Sequence, residues 1–281
     1  MKILSSVSAF RAWRAQVPTG HRVGFIPTMG ALHAGHLALV KAAREECDTV
    51  VASIFVNPTQ FDRAEDLSSY PRMPAEDAAL LSHTGCHSLL LPTAEDMYPN
   101  GPSAVKLHVA GVSEVLEGAA RPGHFDGVAL VVTKLLNLVQ PTYLYMGAKD
   151  LQQTRVVGRM LSDLFSPIVL RMCPTLREAD GLAMSSRNRN LSAAQRAAAP
   201  VVYRALQHSL AQWEAGASRE EALAAGSGIL ATEPQARIDY LTLVDHDTLH
   251  PPTGGQRPPR VAILAAVYFG PVRLIDNVVS A

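Results

Sequence analysis

Apolar runs closed by proline, asparagine and glycine mark out the first two-thirds of the chain. Residues 23–26 form a short apolar run after His21 and Arg22 that stops at Pro27, and residues 49–56 form a β-branched run that stops at Asn57-Pro58. Runs this short, without polar alternation, suit strands buried on both faces of a parallel sheet. Between them Leu37, Val40, Ala43 and Arg44 recur at helical spacing, so the segment predicts strand, helix, strand within the roughly 30 residues of one βαβ unit. The alternation continues with helices expected over 74–84, 127–138 and 150–164 and strands over 88–91, 143–146 and 168–172. This is the α/β pattern of a Rossmann-like, doubly wound parallel sheet.

After Pro174 the pattern changes. Residues 192–230 are Ala-rich and read as helical, with Ser192 a plausible N-cap and Ser218 followed by Glu221 as a capping box. Strand-like runs follow over 238–244, 261–269 and 272–275; residues 250–260 are a Pro/Gly-rich loop, and Gly270-Pro271 is a tight turn. A boundary at 174 therefore separates the doubly wound domain, 1–174, from a smaller α+β C-terminal domain, 175–281.

Composition narrows the function. Lys and Arg together number 25, as do Asp and Glu, so no basic field exists to gather nucleic acid or an anionic membrane. The longest apolar stretch, 128–139, is interrupted by Lys134 and falls short of the roughly 20 residues a bilayer requires. The N-terminus, with serines and Arg11 among its apolar residues, makes a poor export signal, and a cytoplasmic location is expected. Cys47, Cys86 and Cys173 are odd in number and widely spaced, which points to buried free thiols rather than disulfides or a thiolate metal site.

The chemistry concentrates after the first strand, in Pro27-Thr28-Met29-Gly30-Ala31-Leu32-His33-Ala34-Gly35-His36. In an open α/β sheet the ligand crevice lies at the carboxyl ends of the strands, and a helix N-terminus there offers unpaired N–H groups and a positive dipole end to phosphate. Gly30 and Gly35 allow close backbone approach, while the absence of GxGxxG argues against a dinucleotide. His33 and His36 share one side of a helical first turn. They are either capping histidines or a pair donating to phosphoryl oxygens; the further ligands that a metal pair would need are not grouped nearby.

His33-Ala34-Gly35-His36 resembles the HxGH signature of the nucleotidyltransferases. Further blocks follow in order: residues 53–61 with Asn57 and Gln60, then Tyr70-Pro71-Arg72, Arg121-Pro122-Gly123-His124-Phe125, Gly147-Ala148-Lys149-Asp150-Leu151-Gln152-Gln153 and Met184-Ser185-Ser186-Arg187-Asn188, with an echo in Leu274-Ile275-Asp276-Asn277. The ordered set resembles the pantothenate synthetase family. That resemblance implies ATP-dependent condensation of pantoate with β-alanine through a pantoyl-adenylate, with Mg²⁺, in a homodimer.

By the same resemblance, His36 is a proton donor and His33 and Lys149 join it in catalysis. Residues 29–36 (Met29, Gly30, Ala31, Leu32, His33, Ala34, Gly35, His36), Gly147, Ala148, Lys149, Asp150, Leu176, Met184, Ser185, Ser186 and Arg187 contact ATP. Gln60 binds pantoate and β-alanine, Gln153 binds pantoate, and Pro27 and Asn57 are further substrate-binding residues. No side-chain metal cage is implied, because magnesium rides largely on phosphate oxygens. Ala148 departs from the Glu common at its position in the family. Tyr70, Arg72, Arg121 and His124 carry no assigned role. Two rivals share the motif: a cytidylyl- or adenylyltransferase acting on a phosphate ester, and a nucleotide-binding sensor without catalysis, against which the intact His33, His36, Lys149 and Ser185-Ser186-Arg187 argue.

Overall fold

Each strand of the parallel sheet sends successive side chains to opposite faces, and both faces are buried in the inner strands over residues 23–28, 49–54, 88–90 and 143–147. In the computed structural model, which describes residues 1–61, 67–68, 70–253 and 257–281, the sheet has six parallel strands in the order β1-β4-β3-β2-β5-β6. These are β1 (Lys2–Leu4), β2 (Val23–Thr28), β3 (Thr49–Ile54), β4 (Ser88–Leu90), β5 (Tyr143–Gly147) and β6 (Val169–Cys173). Phe25, Val51, Leu90 and Leu144 enter one core with Phe10, Val128 and Leu136. Their neighbours Ile26, Val50, Leu89 and Tyr145 enter a second core with Leu39 and Val40. Each large apolar side chain so buried contributes about 1.5–3 kcal/mol, which is why unbroken apolar runs rather than alternating ones mark these strands.

The helices of this unit are α1 (Val7–Arg14), α2 (Ala34–Glu46), α3 (Pro74–Ser82), α4 (Ala94–Met97), α5 (Glu117–Ala120), α6 (His124–Val139) and α7 (Leu151–Asp163). Several boundaries differ from the sequence expectation. β2 runs through Pro27 to Thr28, because its pairing with β5 stops at Gly24 and Phe25 and the missing proline N–H breaks no ladder there. β3 stops at Ile54; the Phe55 N–H then bonds the Thr28 carbonyl, and Asn57 opens a 3₁₀ turn, Pro58–Gln60. α6 starts earlier than expected, at His124, behind Gly123 in the left-handed region. Residues 148–150 form a 3₁₀ turn, so α7 begins at Leu151 and not at Asp150.

A second compact unit comprises Thr175–Ala281 together with Lys149–Leu151, the first being Met1–Ala148 with Gln152–Pro174. Its sheet, β7 (Ala236–Asp245), β8 (Val261–Phe269) and β9 (Val272–Val279), is antiparallel in that order. The expected helical stretch resolves into α8 (Ala193–Ala198), α9 (Val201–Glu214) and α10 (Arg219–Ala231), interrupted by Pro200 and by Gly216 at φ +100°. Ser192 with Gln195, and Ser218 with Glu221, each form a capping box. Leu206, Trp213, Leu230, Ile263 and Phe269 share its core. β9 extends past the expected 275 to Val279, and residues 254–256 of the expected loop lie outside the described residues. Among the described residues no helix is long and apolar enough to cross a membrane.

Candidate active site

β2 sits where the order of the sheet reverses, with β3 and β4 to one side and β5 and β6 to the other. Its carboxyl end opens on the crevice where such sheets take ligands. The turn that leaves it has Gly30 at φ +85° and Ala31 at φ +50°. The strain at Ala31 is held by Asp77 in the first turn of α3. This buried carboxylate accepts from the N–H of Ala31 at 2.9 Å and of Leu32 at 2.7 Å. Gly30 is required twice, by its φ and because a Cβ would meet Asp77 Oδ2 and Ile54 Cγ2 at 3.0 Å.

This corrects the expectation of unpaired backbone donors along the turn. Gly30 N–H goes to Thr28 Oγ1, those of Ala31 and Leu32 to Asp77, that of His33 to His36 Nδ1, and that of Gly35 to His33 Nδ1. The N–H groups of Gly30, Ala31, Leu32, His33 and Gly35 are thus used to build the turn, since a buried N–H without a partner is costly.

The two histidines cap α2 with their rings. His33 Nδ1 accepts from Gly35 N–H at 3.2 Å and His36 Nδ1 from His33 N–H at 3.3 Å, with ring centroids 4.1 Å apart. A main-chain N–H can only donate, so each Nδ1 is an acceptor and each neutral ring carries its hydrogen on Nε2. The rings thus cap the helix through Nδ1, the first of the alternatives left open by the sequence, and this leaves Nε2 as the hydrogen-bearing nitrogen of each neutral ring.

Asn57 and Gln60 follow β3, the neighbour of β2. Asn57 donates both amide hydrogens, to Gln60 Oε1 at 3.3 Å and the Gly127 carbonyl at 3.2 Å, while its Oδ1 accepts from the Tyr98 hydroxyl at 2.7 Å and Thr59 Oγ1 at 3.1 Å. Its amide is thus saturated inside the fold. Gln60 donates to the Met29 sulfur, a weak acceptor. Its carbonyl takes His124 Nδ1 at 2.7 Å and Arg121 Nη2 at 3.3 Å. Arg72 instead bonds the carbonyls of Tyr70 and Leu67. α6 touches the 3₁₀ turn backbone to backbone, for a Cβ on Gly127 would overlap the Thr59 carbonyl oxygen. Pro27 pairs in register with Ser53.

Two adjacent glutamines separate cleanly. Gln152 is buried and gives its amide to the carbonyls of Val112 and Val115 while accepting from Glu117 N–H. Gln153 is half-buried and makes no side-chain hydrogen bond among the described residues. Gly147, closing β5, has nothing within 4 Å of where a Cβ would stand, so the protein's own packing does not ask for a glycine there. Ala148 follows it, half-buried.

In the second unit, Lys149 Nζ stands 3.5 Å from Asp150 Oδ1, with the lysine side chain 16% exposed. The Lys149 carbonyl accepts from Asn277 Nδ2 at 2.7 Å, and residues 149–151 are part of this unit. Leu176, 40% exposed, takes Met184 N–H on its carbonyl. Ser185 caps the 3₁₀ helix Ser186–Asn190, its hydroxyl accepting from Arg187 N–H. Arg177 meets Asp276 at 2.6 and 3.0 Å; burial pushes the Asp276 carboxyl above the usual range against the pull of Arg177.

The cysteines are free: Cys47 and Cys86 are buried and Cys173 is half-buried. Burial raises all three thiols, Cys86 to about 11, so none is poised as a nucleophile. Among the described residues no three His, Cys, Asp or Glu converge to hold a metal ion. Asp77 was missed altogether, lying in no motif singled out from the sequence, while Asn57 and Asn277 lay within such motifs but without their organising contacts, to the Gly127 carbonyl and the Lys149 carbonyl.

The first unit is therefore of the doubly wound α/β class, with its ligand turn at the switch point of the sheet. The chain belongs to the pantoate-β-alanine ligase family, whose model matches residues 2–279. It is 49% identical over 279 residues to a pantothenate synthetase of Pseudomonas aeruginosa, covering 98% of each chain, and 50% identical over 280 residues to one of Acidiphilium cryptum, covering 99% of each. Among solved structures it is similar to pantothenate synthetase from Thermus thermophilus, with TM-score 0.92, 47% identity and 99% of each chain covered. It is also similar to the Francisella tularensis pantoate-beta-alanine ligase complexed with beta-gamma ATP and beta-alanine, with TM-score 0.81, 34% identity and 99% and 97% of the two chains covered.

Proposed function

We propose that this chain joins pantoate to β-alanine with the consumption of ATP, giving pantothenate, AMP and pyrophosphate. A carboxylate and an amine do not condense in water, because the carboxylate repels nucleophiles and hydroxide leaves poorly. In the first step a pantoate carboxylate oxygen attacks the α-phosphorus, the bond from that phosphorus to the bridging oxygen breaks, and pyrophosphate departs. In the second, the β-alanine nitrogen attacks the acyl carbon of the pantoyl-adenylate, AMP leaves with the electron pair, and the nitrogen loses a proton.

The observation that carries the reading is the His33–His36 pair at the switch point, each ring set by a main-chain N–H on Nδ1 to donate from Nε2. Two such donors aimed at phosphoryl oxygens stabilise the charge that grows as the α-phosphorus is attacked. The first step moves no proton, so His36 acts by hydrogen bonding and keeps its Nε2 hydrogen. Gly147 leaves open space at the end of β5, supporting its assignment beside the nucleotide, as the exposed side chain of Leu176 supports an adenine contact. Lys149 and the side chains of Ser185, Ser186 and Arg187 take the phosphates, Asp150 the ribose side, and Met184 leads into that loop. The backbone of residues 29–36 shapes the turn.

Gln60 and Gln153 take pantoate, with Gln60 extending to β-alanine; each is an amide able to donate and accept toward a substrate bearing hydroxyls and a carboxylate. Asn57 orients Gln60. ATP would enter as its magnesium salt, the ion held largely by phosphate oxygens rather than by side chains. The enzyme works as a homodimer in the cytoplasm. Pantoate-dependent exchange of labelled pyrophosphate into ATP, without β-alanine, tests the first step. Exchange requiring pantoate is the expected result; none, in protein that binds ATP, points to a transferase of another substrate.

A further inference from the structure

The Leu274-Ile275-Asp276-Asn277 stretch of β9 has so far no part in the chemistry, yet it touches both segments of the second unit that carry phosphate ligands. Asn277 Nδ2 donates to the Lys149 carbonyl at 2.7 Å. Its neighbour Asp276 holds Arg177 through two bonds of 2.6 and 3.0 Å and accepts from the Asn277 N–H at 2.8 Å. Arg177 also donates to the carbonyls of Gly181, at 3.1 Å, and Asn277, at 3.2 Å. The guanidinium lies 3.7 Å over the Tyr203 ring, so its plane is fixed on one face by an aromatic and along its edge by acceptors. Through Gly181 it closes the loop in which Arg177 bridges Ala183 and Met184 N–H returns to the Leu176 carbonyl. The next residues are Ser185, Ser186 and Arg187.

We propose that Arg177, Asp276 and Asn277 are positioning residues that fix Lys149 and the Ser185-Ser186-Arg187 loop relative to each other, so that the triphosphate meets both as one preset surface. This rests on the reading that Lys149 and the loop bind the ATP phosphates. Lys149 is a point charge on a flexible stem, and one hydrogen bond to its carbonyl fixes the peptide plane from which that stem departs. Asn277 makes that bond, and the rigid fork of Arg177 transmits the same frame to the loop. Charge stabilisation depends on donors standing in place before the reaction, so loosening the frame lowers the rate of adenylation.

The test is a double-mutant cycle on pyrophosphate exchange, with Asn277→Ala, Lys149→Ala and the pair, each accompanied by a thermal melt and a pantoate titration. Asn277→Ala is expected to lower kcat/KM for ATP about tenfold, to leave the KM for pantoate unchanged, and to have no further effect once Lys149 is alanine. A general structural defect would lower kcat/KM for ATP and for pantoate together and add in full to Lys149→Ala; that result overturns the proposal. If the alanine protein does not fold, Arg177→Lys is read in the same way with Ser185→Ala as its partner, since lysine keeps the charge opposite Asp276 but cannot span its other acceptors. A Lys149→Ala enzyme with wild-type exchange removes the reading of the site and this proposal with it, whereas an impaired Lys149→Ala with additive Asn277→Ala overturns the proposal alone.

Discussion

His33 and His36 each give the acceptor nitrogen of the ring to a main-chain N–H, and that single choice decides what the other nitrogen can do. We expect His36→Ala to lower pantoate-dependent exchange at least about 100-fold while calorimetry finds ATP affinity within a few-fold of wild type; unchanged turnover removes His36 from the mechanism. Gln60→Ala should weaken pantoate more than ATP, and titration showing the reverse order would move pantoate elsewhere. Asp77 is the residue on which the turn depends. Replacing it with alanine removes its two hydrogen bonds to the buried turn, at a cost of about 3 kcal/mol, and should lower both the melting temperature and the exchange rate.

At the scale of elements, α6 and the 3₁₀ turn Pro58–Gln60 meet backbone to backbone at Gly127. A methyl there must push the two apart, so Gly127→Ala should raise the KM for pantoate and lower stability by about 1–3 kcal/mol, as read by chemical denaturation. The βαβ alternation was legible because strands buried on both faces carry unbroken apolar runs. β1 was not: three residues, none buried, leave no periodic signal, and their pairing with β4 is a long-range fact. The same limit hid Asp77, which reads locally as an acid in the first turn of a helix and acts on a turn 45 residues away. His33, His36, Gln60 and Gln153 were legible as a pattern, but not which backbone donors the turn itself would use.

For the whole molecule, the far end of α2 is tied across the first sheet. Glu46 accepts from Arg171 at 3.0 and 3.1 Å and from the Tyr145 hydroxyl at 2.5 Å, joining α2, β5 and β6. Arg171 first, then Tyr145, hold the Glu46 carboxyl below its ordinary value of 4.5. A group whose pKa falls on folding stabilises fully above its unfolded value and loses that contribution as the pH drops through the folded one. Wild type should therefore exceed Glu46→Gln in melting temperature at neutral pH, and the two should converge as the pH is taken below 4.5. Circular dichroism melts across that range check it, and a difference that persists in acid assigns the effect to packing.

Gly147 separates what keeps the protein folded from what keeps it useful. Nothing stands within 4 Å of where its Cβ would be, so an alanine there costs the empty protein little and, on the proposed reading, intrudes only on a bound nucleotide. A screen for thermal stability or solubility is blind to this position, and one for growth without supplied pantothenate is not. On the proposed reading the site thus includes a glycine that the fold itself does not demand, which a stability-guided redesign would be free to replace and should leave as it is.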